Sequence, residues 1–387
     1  MNYFKNRLHE LEQKGNLRTL YNIDELAAST DLQQNEFVNL SSNDYLSLAS
    51  DSELRREFFE AAAPEYWKMS AASSRLLTGN MSEYIQLEEK LCELYKAESA
   101  LVVGSGYHAN SGILPAICTD QTLVLADKLI HASIVDGIQL SKGKHIRYRH
   151  NDYQQLERLV VENHLKYDKI IIVTESVFSM DGDCADLKRL VMLKSVYPNL
   201  LLYIDEAHAV GIFGPNGLGL CEELNCLQDI DILVGTFGKA LGSVGAFVIC
   251  NSILHHFLVN TMRTLIFTTA LPPVNLAWTR FILNKLGELK EKRVHLLHIA
   301  SLLHQFISRS KQPKISTTHI IPFIIGESEK ATLLSQMLRK EGFHILPVRP
   351  PSVPEGTSRL RISLCADITE LQVEKLISLL ERYDCCH

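Results

Sequence analysis

Ile232-Leu233-Val234-Gly235-Thr236-Phe237-Gly238-Lys239-Ala240-Leu241-Gly242 is an apolar run that ends in small residues and a single cation. Such a run reads as a buried strand emptying into a tight, glycine-flanked turn. Lys239 then falls at a strand's carboxyl end, where open α/β sheets place their ligands. Two further runs end alike: Lys169-Ile170-Ile171-Ile172-Val173-Thr174-Glu175 leads toward Ser179, and Leu200-Leu201-Leu202-Tyr203-Ile204-Asp205 toward His208. An acid, a histidine, a hydroxyl and a lysine are thereby predicted along one rim. Strands and helices alternate as far as residue 250, the pattern of an α/β fold with a mainly parallel sheet covered on both faces.

The bulk properties narrow the function classes. The chain has 387 residues, 46% hydrophobic and 22% charged, with a formal net charge of -6. That is enough chain for a sizeable core and two domains. There is no basic excess to attract nucleic acid or anionic lipid, and no apolar run long enough to span a membrane. Met1-Asn2-Tyr3-Phe4-Lys5-Asn6-Arg7 is not followed by the apolar segment of a secretory signal. Nine scattered cysteines without a Cys-x-x-Cys pair suit reduced thiols in a cytoplasm. Cys385-Cys386-His387 is an incomplete ligand set at a terminus, so no metal is expected. Pro272-Pro273 marks a domain edge, giving an N-terminal arm (1–45), a large domain (46–275) and a small domain (276–387).

Several motifs can carry chemistry, each with a plain structural alternative. Arg18 is a surface charge or a ligand contact, and Asn43 is a helix cap or a ligand contact. Gly104-Ser105-Gly106-Tyr107-His108-Ala109 fits Gly-x-Gly-x-x-Ala, and Asp127 ends the next strand. That is the dinucleotide fingerprint, although a helix start binds a single phosphate as readily as a pyrophosphate. His131 alone reads as a structural histidine, yet it lies just past a strand end. Asp205-Glu206-Ala207-His208 spells a helicase box, but no Gly-x-x-x-x-Gly-Lys-Ser/Thr accompanies it. Arg349 stands before Pro350-Pro351 in a rigid, exposed turn.

Pyridoxal 5′-phosphate makes demands that these motifs meet together. Its aldehyde needs a lysine for a Schiff base, and its ring nitrogen needs an anionic partner. Lys239 and Asp205 suit those roles. Ser105, Gly106, Tyr107 and Thr236 offer N–H and hydroxyl donors to its phosphate. His131 can stack on the ring, and His208 can hydrogen-bond the phenolic oxygen. Each signal is weak alone; their order on successive strand ends is specific.

Nearly the whole chain resembles the α-oxoamine synthases. The resemblance rests on Leu40-Ser41-Ser42-Asn43-Asp44-Tyr45-Leu46, Ser74-Arg75-Leu76-Leu77-Thr78-Gly79, Gly104-Ser105-Gly106-Tyr107-His108-Ala109-Asn110 and His131-Ala132-Ser133. It rests further on Thr174-Glu175-Ser176-Val177-Phe178-Ser179-Met180-Asp181-Gly182-Asp183, Asp205-Glu206-Ala207-His208 and Thr236-Phe237-Gly238-Lys239. It implies an aspartate-aminotransferase-type fold, with a mainly parallel seven-stranded sheet and a smaller α/β C-terminal domain. It also implies an acyltransferase that condenses an amino acid with an acyl thioester, losing carbon dioxide. The stretch beginning Arg349-Pro350-Pro351-Ser352 is similar to members that use L-alanine with pimeloyl-CoA or a pimeloyl carrier protein. A glycine and acetyl-CoA ligase is the alternative. Arg18, Asn43, Arg349 and Ser352 are the substrate contacts so implied. Ser179 is implied beside the cofactor, and Thr268 or Thr269 would reach the phosphate of a second subunit in a homodimer. Two positions depart from the family pattern: Ala71-Ala72 fill a loop usually richer in glycine, and Asp186 replaces a proline.

Overall fold

The computed structural model describes residues 1–20, 22–23, 37–61 and 68–386. Part of the predicted arm (21 and 24–36), residues 62–67 and His387 of the terminal cluster lie outside them, as do the side chains of Cys385 and Cys386. The described strands are, in chain order, β1 (Val38–Asn39), β2 (Ser99–Val103), β3 (Thr122–Asp127), β4 (Lys144–Tyr148), β5 (Lys169–Glu175), β6 (Leu200–Asp205), β7 (Ile232–Thr236), β8 (Ala246–Cys250), β9 (Ile320–Gly326), β10 (Phe343–His344), β11 (Pro347–Val348) and β12 (Ser358–Ser363).

Asp44–Phe178 and Cys184–Arg293 make the larger of two compact units. Its seven-stranded sheet has the order β2-β8-β7-β6-β5-β3-β4. All neighbours are parallel except those of β8, which opposes β7 and β2. The connection from β7 to β8 is too short for a crossover, so this pair can only turn back. Residues 170–175 of β5 are buried throughout, as a parallel strand covered on both faces requires. Leu101, Val124, Ile171, Val234 and Val248 join Ile113 and Ile134 of the covering helices in one core. Each such side chain contributes roughly 1.5–3 kcal/mol by leaving water. β3 is flanked by β4 on one side and β5 on the other, so the chain reverses its direction of travel there. That reversal opens a crevice at the carboxyl ends.

Helix starts follow the capping chemistry of their sequences. Ser105 caps Gly106–Ile117, Asp152 caps Tyr153–Asn163 and Asn251 caps Ser252–Thr261. Asp186, in the place of a family proline, caps Leu187–Val196 by accepting from Arg189 N at 3.1 Å. Ala72 sits at φ +51°, a left-handed conformation that explains why glycine suits this loop.

The smaller unit comprises Met1–Asn43, Ser179–Asp183 and Val294–His387. It holds the antiparallel sheet β11-β12-β9 and the parallel pair β1-β10. Ser363 N donates to Leu40 O at 2.9 Å, tying the N-terminal segment to the end of β12.

One close approach sets the larger unit's helix layer. A Cβ on Gly137 would stand 2.2 Å from Asn110 O, so the helices Gly106–Ile117 and Ala132–Leu140 touch backbone to backbone. Gly137→Ala should therefore force them apart and lower the unfolding free energy by about 1–3 kcal/mol, measured by urea titration. A loss below about 0.5 kcal/mol would contradict the packing, being the size of an ordinary surface change.

Candidate active site

The rim begins where β7 ends. Thr236 Oγ1 donates to Gly245 O at 3.0 Å and accepts from Gly238 N at 3.2 Å, closing the turn that carries Lys239. Gly242 N returns to Lys239 O at 2.9 Å, and Trp278 Nε1 donates to Gly242 O at 3.0 Å. Lys239 is thus a half-buried side chain on a strapped turn. Its Nζ lies 2.8 Å from His208 Nε2. On the other side of that ring, His208 Nδ1 lies 2.7 Å from the hydroxyl of Tyr45, which is fully buried.

Asp205 closes β6 beside them and is 5% exposed. One carboxylate oxygen accepts from Ala207 N at 2.9 Å and the other from Asn110 Nδ2 at 2.7 Å. Tyr203, on the same strand, donates its hydroxyl to Asn110 Oδ1 at 2.7 Å. Burial, and then the charge of Asp205, push that phenol well above its ordinary value, so it stays a donor. His131 caps the helix Ala132–Leu140 and is an exposed residue. Its imidazole is nonetheless held below the usual value, first by desolvation. The charge of Lys239 acts in the same direction, and that of Asp205 opposes it. That pattern puts His131 electrostatically between the lysine and the acid.

The glycine loop reaches the same place. A Cβ on Gly106 would lie 4.0 Å from Thr236 Cβ, so the helix start adjoins the end of β7. Ser105 Oγ takes the His108 N–H at 3.1 Å, and Ser105 O takes that of Ala109 at 3.0 Å. The Gly106 and Tyr107 N–H groups then remain as the first-turn donors of that helix, at its positive end. An amine, a buried carboxylate, two imidazoles and a helix N-terminus beside a threonine hydroxyl are the donor set that pyridoxal phosphate requires. The dinucleotide reading fails on Asp127. Its carboxylate accepts from Leu129 N (2.8 Å), His150 Nδ1 (2.9 Å) and Asn151 N (2.9 Å), and it is fully buried. No oxygen of it is offered to a ribose. Glu206, of the helicase-like letters, is likewise spent on Ser176 Oγ, Leu220 N and Cys221 N.

The other predicted residues fall into different surroundings. Thr268 and Thr269 lie between the short helix Arg263–Ile266 and Ala270, whose N–H bonds Ser73 O at 2.9 Å. Thr269 is exposed. Arg18, Asn43, Ser179, Arg349 and Ser352 belong to the smaller unit. There Arg18 Nη2 donates to Ser352 Oγ at 2.9 Å. Arg349 donates to the carbonyl oxygens of Gly15 and Leu17, and among the described residues no carboxylate pairs with it. Arg361 joins Asn43 Oδ1 (3.2 Å) to Ser179 O (2.5 Å). Sequence reasoning assigned no role to Arg361, Tyr45 or Asn110. Among the described residues no group of three or more His, Cys, Asp and Glu could hold a metal, and no helix is long and apolar enough to cross a membrane.

The chain is similar to known proteins. The family described as aminotransferase class I and II matches residues 35–380. A Haemophilus influenzae protein named "Putative 8-amino-7-oxononanoate synthase" is 49% identical over 375 residues, covering 97% of this chain and 99% of its own. A serine palmitoyltransferase variant from S. paucimobilis, solved with a bound PLP-myriocin aldimine, superposes with a TM-score of 0.85 at 28% identity, covering 98% of this chain and 96% of its own. An 8-amino-7-oxononanoate synthase from Francisella tularensis gives a TM-score of 0.75 at 26% identity, over 90% of this chain and 97% of its own.

Asp127→Asn should lower the unfolding free energy by about 1–3 kcal/mol, because one oxygen becomes a donor facing N–H groups. Stability unchanged in a thermal melt would show that the carboxylate is not spent inside the protein.

Proposed function

Because the chain belongs to the class I and II aminotransferases, and within them to the α-oxoamine synthases, we propose that it condenses L-alanine with a pimeloyl thioester. The products would be 8-amino-7-oxononanoate, carbon dioxide and the freed coenzyme A or carrier protein, a step of biotin synthesis in the cytoplasm. The enzyme is a pyridoxal-phosphate-dependent acyltransferase. One observation carries the residue assignments. Lys239 Nζ stands 2.8 Å from His208 Nε2 on the strand rim that Asp205 closes.

When bound, the cofactor supplies an aldehyde for covalent capture and a ring that draws electron density from the substrate carbon. Lys239 is its covalent anchor. Its amine, when free, would be the base that removes the substrate Cα proton. Asp205 would face the ring nitrogen and keep its proton by charge, and His208 would bind the phenolic oxygen. His131 would cover a ring face. The Gly106 and Tyr107 N–H groups, with the hydroxyls of Ser105 and Thr236, would hold the phosphate, while Ser179 and His131 would assist at the thioester carbonyl and the cofactor ring. Arg349 is the grip for the alanine carboxylate. Its present partners are neutral carbonyls, so among the described residues no acid pairs with it, and its fork matches a carboxylate. Arg18, Asn43 and Ser352 complete that contact. In a homodimer, Thr268 or Thr269 would serve the partner's phosphate.

Lys239→Ala should abolish both turnover and the visible Schiff-base absorbance. Full activity in that variant would refute the assignment. Arg349→Ala should weaken alanine binding by roughly 2–5 kcal/mol, the penalty of losing a desolvated charge partner. An unchanged alanine titration would remove Arg349 from the site. Product analysis with alanine, glycine and serine against acyl thioesters of several lengths separates this reading from a glycine–acetyl-CoA ligase and from the serine palmitoyltransferases that superpose on the fold.

A further inference from the structure

Asn110 and Ser133 link Asp205, assigned to the cofactor's ring nitrogen, to His131, assigned to a face of its ring. Asn110 is 2% exposed and Ser133 is fully buried, so each polar atom must find a partner inside the protein. The orientation of the Asn110 amide follows from its neighbours. Asp205 Oδ2 only accepts, so the NH2 group faces it at 2.7 Å, and Oδ1 receives the Tyr203 hydroxyl at 2.7 Å. The second amide hydrogen goes to Ser133 Oγ at 3.0 Å. Having accepted there, the serine hydroxyl still has its own proton to give. The acceptor in reach is His131 Nδ1, at 2.7 Å. The backbone N–H of Ser133 also points at that nitrogen, at 3.2 Å. With two donors converging on it, Nδ1 cannot carry the ring proton.

We propose that Asn110 and Ser133 are positioning residues. One amide hydrogen steadies Asp205, and the other acts through the Ser133 hydroxyl to hold His131 in the tautomer with Nδ1 bare and Nε2 protonated. The inference rests on reading Asp205 and His131 as the cofactor's neighbours, and it deepens that reading. A neutral imidazole can lie on a pyridinium face without setting two cations together. Its single N–H, on Nε2, is then a fixed hydrogen-bond donor rather than a base. The charged groups around the ring are Asp205 from β6, Lys239 from the turn after β7 and Asp136 from its own helix. Their effects and the burial of the ring together leave the imidazole below its usual value, which agrees with a neutral ring.

The test is nitrogen NMR of histidine-labelled full-length protein carrying pyridoxal phosphate, with the His131 signals identified by their loss in His131→Asn. The wild type should show a protonated Nε2 and a bare Nδ1. Ser133→Ala should mix the tautomers and raise the His131 titration by roughly 0.5–1 pH unit, since the lost hydrogen bond favoured the neutral ring. Ser133→Thr, which keeps the hydroxyl, should restore the wild-type signals. A proton on Nδ1 in the wild type, or a Ser133→Ala spectrum identical to wild type, overturns the proposal. If Ser133→Ala does not fold, the wild-type tautomer and Ser133→Thr decide it. Visible absorbance sensitive to borohydride, recorded on the same samples, reports the Lys239 linkage separately. A protein with the stated tautomer but without that absorbance would sink the functional reading and leave the relay standing.

Discussion

The pair of hydrogen bonds that fix Asp205, from Ala207 N and from the Asn110 amide, is the constraint on which the rest of the site depends. A carboxylate 5% exposed at the end of a buried strand is tolerable only if its oxygens are occupied. Each donor comes from a different layer of the fold. Ala207 is in the loop that β6 itself feeds, and Asn110 is on a helix packed across the sheet. Holding both in place requires the close helix contact at Gly137 and the parallel register that sets Asp205 level with Glu175 and Val234. The acid is therefore aimed by the same packing that stabilises the larger unit.

The electrostatic plan follows from that placement. His208 is bracketed by Tyr45 and Lys239, so its ring is fixed on both nitrogens while the lysine amine stays on the rim. The charges of Lys239 and Asp205 act on His131 in opposite directions. A ligand with an electron-poor ring, an aldehyde and a phosphate would find a complementary group for each part: acid, amine and helix N-terminus. A dinucleotide would meet a glycine loop but no available acid, because Asp127 is spent on His150 and two backbone N–H groups.

Lys239, Asp205, His208 and His131 were legible in the sequence because each closely follows the end of an apolar run, and period and punctuation are local signals. The partners that hold them were not. Asn110 meets Asp205 across 95 positions, Tyr45 meets His208 across 163, and Arg361 meets Asn43 across 318. Such pairings are set by topology, which one chain's pattern does not record. The sheet was readable as mainly parallel from its alternating helices, and the reversal of β8 follows from the short link after Lys239. Ser179–Asp183 leave the strand-and-helix rhythm of the larger unit and are counted with the smaller one, and no composition shift announces it. The two departures from the family pattern have local physical readings. Asp186 works as a helix cap, while Ala72 occupies a conformation in which glycine is at ease.

The central claim is that one particular amine carries the cofactor. Borohydride reduction of the pyridoxal-phosphate-loaded protein, followed by digestion and peptide mass mapping, addresses it directly. The account predicts a single reduced cofactor adduct, on the ε-amine of Lys239. An adduct on any other lysine, or none from a protein that still forms product, would contradict it.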